Sequence, residues 1–425
     1  MGTVLSATAS AASISAWTAG YFGAQAIAGS AIARTLIGIG LSSALSASAA
    51  RGNRMRPTAG LVNYSQPLSA MEWAVGRCRK GGPVGLSAES DVNITNPGGT
   101  DDRRRRHWAV ILAAHQIDAV EQLWADKIAV EVGGTGWIVT EPIWQGGLGW
   151  RDYVGRIMFH DGAPGQTVDP VLDAAFPEIG SSHDFAGLAY LACTGAFVQA
   201  ENLSRIYPNG GSRWEITALF RGAVGIYDPR TDDTGWTDNL ALVAAWLATG
   251  YGYDVDWDDV AAEADACDVL VSNADGGTQK RWTFNGYGSW ADPWDGVRER
   301  LTIAGDMLWY ERPDGKLGFR VGRWIAPTIT LTDDDLLSIT ITAGQTGPDL
   351  PGRYTARYTE PAYDWTEAVT GGHVEEADNP DTDVVEVYDA ASHNQAWRVA
   401  RRAGRIAHAD QTVSAVVKLI GYDLI

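Results

Sequence analysis

The chain has 425 residues, more than one hydrophobic core usually supports, so about three domains are expected. Its 45% hydrophobic and 20% charged residues are those of a folded globular chain and exclude bulk disorder. With 52 acidic and 33 basic residues the formal net charge is −19, which argues against a nucleic-acid-binding surface, although an acidic wall lets DNA pass without sticking.

Residues 1–50 carry one charge, Arg34, among Ala, Ser, Gly, Ile and Leu. Ala47-Ser48-Ala49 imitates a signal-peptide cleavage site, but the basic leader is missing and the stretch is too long. A membrane-spanning helix would have to bury Arg34. Gly20, Gly23, Ala24, Gly29, Ala31, Gly38 and Gly40 let apolar helices approach closely. A helix or hairpin buried in an oligomer is expected, with conditional membrane insertion or a flexible leader as alternatives.

The Gly/Pro/basic stretch RGNRMRPTAG (51–60) marks a boundary. Beyond it, residues 70–86 read as strand, turn, strand, and Ala109 to Ala113 is an apolar run of strand length. A second apolar run (184–197) leads into a polar loop (199–212) with a turn at Pro208–Gly211, then a strand (213–228). The period then becomes helical. NLALVAAWLATG is expected to be capped by Thr237 or Asp238 and to stop at Gly250, and a second helix follows Asp256 as N-cap. A strand (281–288), a third helix opening at Pro293 and a hairpin around Pro313–Lys316 come next. The last hundred residues are strand-rich (328–332, 338–343, 352–360, 383–389), with a basic helix (392–409) before a final strand (412–421). The chain stops at LIGYDLI, which reads as strand pairing that residues beyond 425, or a neighbour, would complete. No repeat of solenoid period is visible.

Candidates for chemistry each have a plainer explanation. Asp228, Asp232, Asp233 and Asp238 in YDPRTDDTGWTDNLALVAAWL (227–247) could hold a hard cation, but a strand-ending turn and a helix cap account for them, and their spacing matches no known ligand loop. Asp254, Asp256 and Asp258 begin like a calcium loop, yet Asp259 stands where glycine is needed and Asp265 where a bidentate Glu is usual. Ser182, His183 and Asp184 are adjacent, whereas a triad is assembled from distant segments. Arg103 to Arg106 could meet phosphate, acidic lipid or carboxylates, or form a solvated hairpin tip offset by Asp101 and Asp102; the tip is favoured. Eighteen tryptophans imply heavy packing, interfaces or sugar platforms; Trp282, Trp290, Trp294, Trp309 and Trp324 are expected mainly to pack. Cys78, Cys193 and Cys267 show neither disulfide nor zinc spacing and suit a reducing cytoplasm. Among catalytic motifs there is no nucleophile elbow, HExxH, phosphate loop or dinucleotide fingerprint. A glycosidase carboxylate pair stays open. No catalytic, cofactor-binding or metal residue is assigned.

The order of motifs, however, resembles a known family. AVGRCRKGGPVGL, HWAVILAAHQIDAVEQLWADKIAV, the span from FRGAVGIYDPRTDDTGW to DACDVLV, KRWTFNGYGSWADPWDGVRERLTIAGDMLWYERPDGKLGF, TARYTEPAYDWTEAV and SHNQAWRVARRAGRIAHADQTVSAVV follow one another as in the tip attachment protein J family. These are the central tail hub proteins of long-tailed phages and of gene transfer agents. The resemblance runs from about residue 70 to 425. It implies a β-rich α+β multidomain hub with tail-tube-like β-barrel domains, short helices and an apolar N-terminal helical segment. The expected divisions are 1–50, the apolar segment; 51–228, β-rich hub with an insertion; 229–325, α+β hub; and 326–425, strand-rich hub completed from outside.

The implied function is a homotrimeric virion structural protein that closes the distal end of the tail tube, opens for DNA ejection and carries receptor-binding fibres. Implied partners are two further copies, the distal tail protein, other tail-tip (baseplate) proteins, the tape measure protein, tail fibre proteins, phage double-stranded DNA in transit and, through residues 1–50, the host envelope. Assembly in the host cytoplasm and location at the virion tail tip follow. The resemblance brings no enzyme signature and no cofactor. The alternatives are a glycan-binding adhesin and a cell-wall or polysaccharide hydrolase.

Overall fold

A computed structural model of the chain describes residues 56–418, apart from 66–69, 98, 102–103, 141–143, 145–153, 179–183, 199, 210, 212, 328 and 345–349. The apolar segment 1–50 and the terminal residues 419–425 lie outside the described residues, and so do the expectations placed on them.

The N-terminal part is built on two layers of sheet. The first has five strands in the order Asn63–Tyr64, Gly82–Ser90, Arg105–Ala113, Ala189–Ala196, Gly155–His160. The second has four, in the order Arg77–Lys80, Ile216–Ala223, Ile117–Ala125, Ile128–Val130. Trp108, Ile157 and Leu191 from the first layer share one core with Leu123, Ile216 and Phe220 from the second. The strand AYLACTGA is buried along its whole length, since its other face is covered by helix α1 (Pro170–Ala175) through Leu172 and Phe176. That is why it reads as a continuous run of small and apolar residues rather than an alternation.

Trp214 fills the gap at one side of this core. Its ring stacks on Tyr207 at 4.9 Å and tilts against Trp108 at 5.7 Å and Trp144 at 5.3 Å. The indole N–H groups of Trp144 and Trp214 both donate to the Ile206 carbonyl. Ile206 ends helix α2 (Ala200–Ile206), where the sequence reads as polar loop. Two turns carrying only Leu203 and Ile206 as apolar residues give too little periodicity to be seen, and the buried Ile206 is what holds them.

Neither layer closes. Each ends in short or unpaired edge strands, so the described residues contain no closed barrel, in contrast to the tube-like barrels the resemblance implied. The two layers face one another and share a core, so they satisfy their apolar faces by stacking instead of by rolling up.

The second part is α+β. Helix α3 (Leu240–Gly250) is apolar all round and buried on nearly every side. Its cap is Asn239, one residue past the expected position, because Asp238 is engaged by Lys280. The Asn239 side chain accepts from the Ala241 and Leu242 N–H groups and donates to the Ala264 carbonyl, tying α3 to helix α4 (Trp257–Asp268). Gly250 is the last helical residue rather than the residue after the helix; a Cβ there would lie 2.5 Å from the Trp290 ring. Asp256 caps α4 as expected, accepting from Asp258 and Asp259 N–H.

Helix α5 (Trp294–Gly305) and the hairpin Leu308–Glu311/Leu317–Arg320 follow as expected. The strand Arg353–Glu360 then pairs with Thr366–Val369, His373–Val374 and, in parallel, Thr382–Glu386. Helix α6 (His393–Ala407), capped by Ser392, packs on that strand. One core runs through all of these, from Leu242 and Trp309 to Tyr354, Val385 and Val399. The expected strand at 328–332 is absent among its described residues; the next strand is Leu336–Ala343.

Candidate functional site

The acidic stretch after Tyr227 is the natural place to look for a cation. The strand Ile226–Asp228 turns back on Asp233–Gly235, with Asp232 in the left-handed region at φ 56°. At the turn Arg230 reaches Asp228 at 2.7 Å, Asp268 at 2.9 Å and Asp265 at 3.1 Å. Lys280 bridges Asp238 at 3.0 Å and Asp268 at 3.1 Å. Asp228, Asp238, Asp265 and Asp268 therefore meet a guanidinium or an ammonium, which supplies the positive charge a metal would bring, while Asp232 accepts from the Tyr227 hydroxyl and Asp233 from the Thr234 N–H. The Arg230 hydrogen bonds pull the Asp228 carboxyl below its usual range, and Asp228 in turn raises the guanidinium.

The calcium-like run resolves in the same way. Asp256 caps α4, and Asp259 accepts from Arg312 at 2.9 Å and from the Tyr310 hydroxyl at 2.7 Å. Arg312 also lies 3.3 Å from Asp256. Among the described residues no group of three ligating side chains is arranged to hold a metal. Trp236 donates to the Gly76 carbonyl at 3.0 Å, and Trp246 meets His115 edge-on at 5.5 Å. Both tryptophans thus pin the helical part onto bends between strands of the N-terminal part.

Ser182 and His183 lie outside the described residues; Asp184 accepts from Ala186 N–H in a turn. Of the basic run, Arg103 is likewise outside. Arg105 is 0% exposed and sits over Trp137, whereas Arg104 and Arg106 pair with Glu89. The favoured solvated tip is corrected here: the run enters the strand Arg105–Ala113, so alternate arginines turn inward and outward. Among the five tryptophans, Trp294 meets Trp309 at 5.7 Å, Trp290 meets Tyr251 at 5.4 Å, and Trp282 donates to the Gly322 carbonyl. Trp324 alone of the five is open, at 83% exposure. A stacking platform needs open ring faces; Trp282, Trp294 and Trp309 are buried, and Trp290 packs against Trp246 and Tyr251.

Three buried ionic clusters have no signature in the sequence. Glu263 is 0% exposed on α4; it accepts from the Val321 N–H at 2.9 Å and from Arg323 and Arg320. Arg300 and Asp389, 89 residues apart, are joined by two hydrogen bonds of 2.9 and 2.5 Å. The pair lines a small cleft with Cys78, Tyr287, Thr359 and Trp365. Burial pushes the Cys78 thiol up to about 12, so it is no nucleophile. A third cluster joins Asp169 to Arg156 and His160. Burial raises the Asp169 carboxyl, but bonds from His160 and Arg156 outweigh it and bring the group down to about 2. Asp169 also caps α1, so its oxygens are spent on structure.

No family model matches the chain, and no curated protein matches it. Among solved structures, a chain of the virion of a native gene transfer agent particle aligns over 97% of this chain and 87% of its own, at 18% identity and a TM-score of 0.52. The two chains share a fold. A 43 kDa tail protein of prophage MuSo2 from Shewanella oneidensis covers 81% of this chain and 82% of its own, at 10% identity and a TM-score of 0.25. The shared fold is β-rich α+β. Trp365 of the C-terminal part packs on Trp124 and Leu219 of the outer sheet face, and Arg79 lies 3.7 Å over the Trp124 ring while donating to the Asp364 carbonyl. Among the described residues no helix is long and apolar enough to cross a membrane.

Proposed function

We propose that this chain is a structural protein of a phage-type virion tail, and within it the homotrimeric central hub at the tail tip. The observation that carries this reading is the end-to-end sharing of a fold with a gene transfer agent virion chain, 97% of this chain on 87% of that one. The order of motifs that resembles the tail hub family supports the same reading, as does the use of Asp228, Asp238, Asp256 and Asp259 in caps and ion pairs. In this role the chain closes the tail tube and opens for DNA ejection. It contacts the distal tail protein, other tip proteins, the tape measure protein and receptor-binding fibres. Its acidic surface, at a formal charge of −19, repels DNA in transit and so prevents sticking. Residues 1–50 of three copies bury one another along the axis or meet the host envelope. The four divisions of the chain, at 50, 228 and 325, are the working units of the hub.

The test is the native mass of the purified full chain together with zymography on cell-wall and capsule material. The reading expects three chains of 45.5 kDa and no clearing. A monomer that clears the substrate would overturn it in favour of a hydrolase, and a monomer that answers a glycan array would favour an adhesin.

A further inference from the structure

One element has no packing partner among the described helices and strands. The strands Leu336–Ala343 and Gln411–Val417 form a two-stranded antiparallel ribbon, and no other described helix or strand packs on it beyond marginal contact. The register sets Ile339 opposite Ala415, Ile341 opposite Val413 and Ala343 opposite Gln411, so these side chains share one face. The other face carries Thr340, Thr342, Thr412 and Ser414. The apolar face is open: Ile339 is 52% exposed, Ile341 59% and Val413 44%, and Leu337 beside them 59%. An isolated ribbon of this size is marginal in water. Its outer edges also lack the usual protection, since neither strand holds a charged residue or a proline.

Charge and area decide what covers it. On a chain of net charge −19, two copies repel over most of their surfaces, whereas these 8- and 7-residue strands are uncharged and offer the same neutral face to each other. A basic partner, such as one attracted by the overall charge, would find no carboxylate on this face. The face measures about 25 Å by about 10 Å. That is well below the about 800 Å² per side of a stable independent complex. It is therefore suited to copies already held together elsewhere.

We propose that this ribbon is where copies of the chain meet, each ribbon pairing edge to edge with its neighbours and turning Ile339, Ile341 and Val413 into the assembly. The inference rests on the homotrimeric reading above. Three ribbons would then place six strands in a ring with no free edge, the arrangement that removes the aggregation hazard a lone ribbon carries.

The experiment replaces Ile341 with photoreactive benzoylphenylalanine in the purified full chain, followed by illumination, gel analysis and peptide mapping. Cross-linked species at two and three times 45.5 kDa, mapped to residues 336–343 or 411–417 of a second copy, are expected. A wild-type mass of three chains with cross-links only to residues 1–50 or 419–425, or with no larger species, overturns the inference and leaves the trimer standing. A wild-type mass of one chain overturns both. As a second readout, Ile341→Lys with Val413→Lys should weaken self-association at least tenfold with unchanged far-ultraviolet dichroism. Unchanged self-association would overturn the inference as well.

Discussion

Replacing Arg230 with alanine separates a structural joint from a metal loop. Its guanidinium is 24% exposed and serves Asp228, Asp268 and Asp265, whose side chains are 21%, 32% and 76% exposed. The Asp265 contact is nearly solvated and contributes little; the other two, partly shielded, contribute about 1 kcal/mol each. Arg230→Ala should therefore destabilise by about 2 kcal/mol in urea unfolding, and high salt should shrink the effect by screening. Trp257, whose ring meets Tyr227 edge-on at 5.0 Å, gives a local fluorescence signal. If the stretch were a cation loop, calcium at a hundredfold over its dissociation constant would stabilise the wild type by about 2.7 kcal/mol. Losing the competing guanidinium would then help binding. Calcium stabilising the wild type to that extent, or Arg230→Ala unfolding at the wild-type midpoint, would refute the structural joint.

Other outcomes follow from the buried groups. Glu263→Ala strands Arg320, Arg323 and the Val321 N–H, and should cost about 3 kcal/mol, with Glu263→Gln less damaging because it keeps one acceptor; equal midpoints for the two variants would contradict this. Burial raises the thiols of Cys78 and Cys267 to about 12 and Cys193 higher still, so a thiol reagent should label none of the three in the native state and all three in denaturant. Burial, and for His107 also the neighbouring Arg105, lowers His107 and His115 from 6.5 to about 4. Both are held neutral: His107 among Ser90, Thr194, Asp169 and Arg156, His115 between the Ala74 N–H, the Gln116 carbonyl and Lys80. The unfolded chain binds protons first, so stability is full above about pH 6.5 and falls as the pH drops towards 4, by at most on the order of 3 kcal/mol per group. Phenylalanine at either position should flatten that part of the stability–pH curve. Deleting residues 1–50 should leave the rest folded but impair tip closure or DNA delivery, and normal infection by such virions would refute that role.

The elements legible in advance were those with a local signature. Asp256 before an acidic first turn, Pro293 at the head of α5, and Pro313–Lys316 between two apolar stretches each state their structure within a few residues. The cap of α3 was misplaced by one residue because the choice among Thr237, Asp238 and Asn239 depends on Lys280, which takes Asp238 from another strand. Helix α2 was hidden because its stability comes from the Ile206 carbonyl receiving two indoles, a tertiary fact. The arginine run misled for a related reason: charge alone suggests solvent, while strand alternation buries Arg105 against Trp137. At the acidic stretch the turn is readable, but the neutralising partners Asp268 and Lys280 lie 38 and 42 residues away from Arg230 and Asp238. Only the fold could decide between ion pair and ion.

The central claim is a threefold hub at a tail tip, and an image of the intact particle reaches it most directly. Electron cryomicroscopy of virions carrying this chain, with an epitope fused to it and labelled, should show three copies around the axis at the distal end of the tail tube. Label along the tube wall, label on the capsid, or a single copy at the tip would contradict the account.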